Sequence, residues 1–113
     1  MFLCVKLNFM YYTQQGKSLK TYKYNIMKVA VWDTYVTRKD GKVMHFDILV
    51  DENTTDTKQV FEYGKSYLKT VLQDGQPLTS NECRFCHIDK APADIENQIL
   101  KNGFSIIEME NCY

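Results

Sequence analysis

Residues 28–37 and 42–50 are runs of β-branched and aromatic residues around Arg38-Lys39-Asp40-Gly41-Lys42, and within the second, Met44, Phe46 and Ile48 alternate with His45 and Asp47. A period of two belongs to a strand, because successive side chains leave a pleated backbone on opposite sides. Two such runs around a short polar segment with glycine predict a β-hairpin. Loop length then decides the register. A two-residue Asp40-Gly41 turn sets Asp33 opposite Ile48 and Val36 opposite His45, which mixes polar and apolar positions on both faces. A three-residue loop, Lys39-Asp40-Gly41 with Gly41 left-handed, pairs Asp33 with Asp47 and Tyr35 with His45. One face then holds Ala30, Trp32, Thr34, Val36, Met44, Phe46, Ile48 and Val50, and the other holds Asp33, Tyr35, His45 and Asp47. A slip of one residue turns every side chain over, so the register that segregates the two sets is the one expected.

Further along, the period lengthens. Val60, Gly64, Tyr67, Leu68 and Val71 fall on one helical stripe, which Phe61 and Leu72 widen. Asp56 followed by Gln59 resembles a capping box, so a helix is predicted from Thr57 to Leu72, ending at Gln73-Asp74-Gly75-Gln76-Pro77. A lone glycine inside such a stripe points to close packing rather than to phosphate binding. Pro77-Leu78-Thr79 can supply at most a short edge strand. Ala91-Pro92 opens a second helix with Ile95, Ile99 and Leu100 on its apolar side, Asn102-Gly103 stops it, and Phe104 to Met109 forms a last strand with Cys112 beyond its end. The order β-β-α-(β)-α-β predicts an α+β two-layer sandwich, a largely antiparallel sheet with two helices on one face.

Composition places a boundary in this picture. The 113 residues suffice for one domain with its own core, and 44% hydrophobic with 25% charged residues is ordinary for a globular chain. Residues 1–26 carry Lys6, Lys17, Lys20 and Lys23 and no acid, a charge of +4, whereas 27–113 carry −4. With no clear period over 13–26 and a strand beginning abruptly at Met27, residues 1–26 are expected to be an N-terminal extension, disordered or not native to the fold, and 27–113 the single domain. A net-acidic body without a basic patch argues against nucleic acid as a partner. No window approaches the roughly 18 apolar residues of a membrane span. Four cysteines are too few for a disulfide scaffold. The opening Met1 to Tyr12, broken by Lys6 and Asn8, has no basic n-region or cleavage site, so a reducing cytoplasm is expected.

The candidate chemistry is concentrated in two places. Cys83-Arg84-Phe85-Cys86-His87 puts two thiols and an imidazole within five residues. Turned toward one point, they would hold zinc or another soft metal, with the shell completed by His45, Cys112 or a carboxylate. The same residues can be read as a thiol redox pair, as a c-type haem attachment, or as small cysteine fillers of a loop fixed by Arg84, Phe85 and His87. Haem attachment goes with export and is disfavoured. The second place is the polar hairpin face, where Asp33, Tyr35, His45 and Asp47 could bind a metal or perform acid–base chemistry. A sheet face that is simply solvated explains that pattern more economically. No nucleophile elbow, Walker loop or dinucleotide fingerprint occurs. Two functional readings follow: a small non-enzymatic binding or regulatory domain with a metal at Cys83, Cys86 and His87, or a small enzyme using Asp33, His45 and Asp47.

Val31-Trp32-Asp33-Thr34-Tyr35-Val36, Val43-Met44-His45-Phe46-Asp47 and Glu82-Cys83-Arg84-Phe85-Cys86-His87, followed by Lys90-Ala91-Pro92, occur in this order. Together they resemble a small bacterial family of domains of unknown function, the one numbered twenty twenty-four. The resemblance covers Met27 to about Tyr113. It implies a compact α+β domain and a bacterial source, and brings with it no activity, substrate or cofactor.

Overall fold

The hairpin forms with the predicted loop. In the computed structural model, which describes residues 27–113, β1 (Lys28–Thr37) and β2 (Val43–Asp51) pair antiparallel with Asp33 opposite Asp47 and Tyr35 opposite His45. The Arg38 N–H donates to the Lys42 carbonyl at 2.7 Å, enclosing Lys39, Asp40 and Gly41, and Gly41 takes a φ of 91°. That left-handed conformation costs glycine nothing and most other residues a steric penalty, which is why this turn needs it. The expected extension, residues 1–26, lies outside the described residues.

Helix α1 (Thr57–Thr70) starts under an Asp56 cap that accepts from the Lys58 N–H, and beyond its Val71 C-cap the chain turns away at Leu72, where φ is 62°. Its buried residues are Val60, Gly64, Tyr67 and Leu68, the predicted stripe. Leu72, expected to widen that stripe, is 77% exposed because the chain leaves the helix before reaching it. Gly64 confirms the packing argument. A Cβ there would sit 2.5 Å from Leu78 Cδ1 and 2.9 Å from Ile48 Cδ1, both on buried side chains, so an alanine would force these side chains to shift within the core.

The third strand is β3 (Cys83–Lys90), not Pro77-Leu78-Thr79; Leu78 instead plugs the core beside Gly64. After α2 (Ala93–Asn102), closed by Gly103 at φ 92°, comes β4 (Ser105–Glu110). The four strands lie in the order β3-β1-β2-β4, all antiparallel.

The α+β class, the antiparallel sheet and its two helices are as predicted, and the helices divide between the faces. Val60, Tyr67 and Leu68 of α1 pack with Ala30, Trp32, Val36, Met44, Phe46, Ile48 and Val50. Ile95 and Ile99 of α2 pack with Val29, Val31 and Leu49, which point the opposite way along the same strands. The reason is that the polar face of the hairpin is polar only toward its turn. Toward its open end the same face carries Val29, Val31 and Leu49, and these need a cover of their own. Leu100 lies off the contact and is exposed.

Candidate functional site

On the α2 side of the sheet the paired positions run Val31 with Leu49, then Asp33 with Asp47, then Tyr35 with His45. Apolar packing under α2 therefore gives way, within one step, to two aspartates directly opposite each other. The face is not solvated. Asp33, His45 and Asp47 are 3%, 9% and 1% exposed. Three ionisable side chains are thus held out of water, where a charged form is stable only with compensating partners.

The partners are incomplete. His45 Nε2 donates to Asp33 Oδ1 at 2.6 Å and lies 3.7 Å from Asp47 Oδ1. Tyr35 stacks on the imidazole with ring centroids 4.2 Å apart and planes 11° from parallel, which fixes the ring toward the aspartates. Asp33 Oδ2 and Asp47 Oδ1 are buried without a hydrogen-bond partner among the described residues. Burial first, and then the facing Asp33 carboxyl, push the Asp47 carboxyl up to about 8, so at neutral pH it keeps its proton. That proton makes Asp47 a donor toward Asp33 and removes one of two like charges placed across a strand pair. One ligand atom from each of Asp33, His45 and Asp47 lies within 4.8 Å of the others. Two carboxylates and an imidazole in this arrangement can share a proton or share a cation.

The cysteine cluster does not converge. Cys83, Cys86 and His87 all lie on β3, where residues cannot fold back on one another as a metal knuckle requires. Cys83 joins the α1-side core at 2% exposure and receives a hydrogen bond from Thr34 Oγ1 at 3.4 Å. Cys86 packs against the α2-side cluster. The sheet separates the two sulfurs, so they do not form the joint metal site with His87 that their spacing suggested. His45 and Cys83 also point to opposite faces, because Thr34, which pairs with Cys83, sits between Asp33 and Tyr35. A register shift between Val31 and Trp32 leaves Cys86 as the extra residue of a bulge, with His87 Nδ1 2.9 Å from Cys86 Sγ and His87 Nε2 3.4 Å from Asp89 Oδ2. Burial raises the Cys83 thiol to about 11, away from thiolate chemistry. Cys112, the other proposed ligand, is buried on the α1 side as well. All four residues of the polar face were visible in the sequence; the burial of Asp33, His45 and Asp47 was not, since alternation along a strand does not say whether a face is covered.

No helix among the described residues is long and apolar enough to cross a membrane. No match was found among curated proteins. Among solved structures, the NMR structure of protein NE1680 from Nitrosomonas europaea, a structural genomics target, is 44% identical, with a TM-score of 0.66 over 77% of this chain and 100% of that one. Residues 27–109 match the family model described as a domain of unknown function, DUF2024. The span holds both hairpin strands, both helices and the Asp33–His45–Asp47 group, and the chain belongs to the DUF2024 family.

Proposed function

We propose that this protein is a small binding domain whose functional centre is the buried hairpin group Asp33, His45 and Asp47, built to receive a cation. One observation carries the reading: two facing carboxyl groups, each at least 97% buried, each have an oxygen with no hydrogen-bond partner outside the pair among the described residues. A fold gains little from such a pair, because desolvation penalises both groups and the second can ionise only against a like charge directly opposite on the neighbouring strand. Apolar or amide residues of similar size would pack there at lower cost. Residues held at the expense of stability are those retained for another task.

The cationic character of the ligand follows from the lining. Every unpartnered polar atom of the group is a carboxylate oxygen, an acceptor when ionised. The test is chemical denaturation at pH 9, where Asp47 is ionised. Asp47→Asn is expected to be as stable as the native chain or more stable. A loss of about 2 kcal/mol or more would show that the carboxylate serves the fold, and would contradict the reading.

A further inference from the structure

We infer that the ion is a divalent transition metal of the zinc or ferrous-iron class, bound by one carboxylate oxygen each from Asp33 and Asp47 and by His45 Nε2. This rests on the reading of the hairpin group as a cation centre. The three donors belong to two adjacent strands joined by a three-residue loop, so the site is assembled by the hairpin alone. One ligand atom from each side chain already lies within 4.8 Å of the other two. A shell with bonds of about 2.1 Å sets neighbouring ligand atoms about 3.0–3.4 Å apart, so binding draws the three donors closer together. The two orphaned oxygens, Asp33 Oδ2 and Asp47 Oδ1, are buried and lack any other partner among the described residues.

Donor chemistry selects among ions. Calcium and magnesium prefer shells made of oxygen alone, whereas an imidazole favours zinc, iron and their neighbours. Two ionised carboxylates neutralise a divalent charge, so the metal-bound centre carries no net charge into the protein interior. Binding would replace the His45 Nε2–H···Asp33 hydrogen bond with coordination and release the protons held by the group. The Tyr35 ring stacked on His45 keeps the imidazole plane in place during that exchange. Three protein ligands leave at least one position open, as in sites where metal-bound water or substrate reacts rather than in closed structural sites.

The experiment uses the full chain, purified without a metal-affinity tag, stripped with chelator, and titrated by calorimetry with zinc, cobalt, calcium or magnesium. Binding of one zinc per chain is expected, with at least tenfold weaker binding of calcium and magnesium. The cobalt complex should show visible ligand-field bands without the near-ultraviolet charge transfer of thiolate ligands. That spectrum needs no variant. Asp47→Asn and His45→Gln should each weaken zinc binding at least tenfold, while Cys83→Ser leaves it unchanged. Absence of zinc binding, calcium bound as well as zinc, or thiolate charge transfer in the cobalt complex overturns the inference. If Asp47→Asn keeps full stability and zinc does not bind, the cation reading stands and the metal assignment alone fails.

Discussion

Asp33 and Asp47 face each other directly across β1 and β2, both withdrawn from water, and His45 hydrogen bonds to the first while standing 3.7 Å from the second. The relationship is fixed by the hairpin loop: three residues, Lys39-Asp40-Gly41, between Arg38 and Lys42 set Asp33 opposite Asp47, whereas a two-residue Asp40-Gly41 turn in the same chain would set Asp33 against Ile48 and dissolve the group.

The first prediction concerns pH. The folded-state Asp47 pKa lies near 8 against an unfolded value of 3.8, because burial and Asp33 disfavour its ionised form. The folded state therefore holds a proton that the unfolded state releases above pH 3.8. This contribution to stability is fully present below that value and is lost as pH rises toward 8. Urea midpoints measured between pH 4 and 9 should fall across that interval, with Asp47→Asn flattening the decline. An Asp47→Asn profile as steep as the native one would remove Asp47 as the cause.

The second prediction concerns the α1-side core. Phe46 is fully buried and packs on Tyr67 with ring centroids 4.7 Å apart. Phe46→Ala should lower stability by about 3–5 kcal/mol in equilibrium denaturation. A change below 1 kcal/mol would be inconsistent with a phenylalanine at the centre of this cluster.

Gly64 gives the third. With Leu78 and Ile48 in the space a Cβ requires, Gly64→Ala should destabilise by about 1–3 kcal/mol, even though alanine is the better helix former. A more stable Gly64→Ala protein would mean that α1 can move off the sheet at little cost.

A fourth prediction follows from Cys83. Its thiol is buried and its pKa pushed up to about 11, by desolvation foremost. Alkylation followed by peptide mass spectrometry at pH 7.5 should leave Cys83 unmodified in the native protein and modified in denaturant. Rapid native labelling would place the thiol at the surface.

Much of this arrangement was legible in the chain. Gly41 and the apolar set from Ala30 to Val50 determined the hairpin register, and the register alone nominated Asp33, Tyr35, His45 and Asp47 as neighbours. The burial of that group was not legible, because polar alternation reads as a solvated face, and neither was the second apolar patch of Val29, Val31 and Leu49 that α2 covers, a contact between residues far apart in sequence. Nor was β3. Its alternation is broken by the bulge at Cys86, and a local cluster of thiols and imidazole resembles a metal knuckle more than an extended strand. Leu72 and Leu100 follow helical spacing and are nevertheless exposed, because spacing specifies a face and the partner element decides how far that face is covered.

The central claim, that two buried carboxylates are kept together for a ligand and against the interest of the fold, is tested most directly by a double-mutant cycle of Asp33→Asn and Asp47→Asn at pH 9 in the presence of chelator. The cycle isolates the interaction between the two side chains. An unfavourable Asp33–Asp47 coupling is predicted, so that the second substitution stabilises less once the first has relieved the repulsion. A favourable coupling would make the pair a stabilising element of the fold and contradict the account.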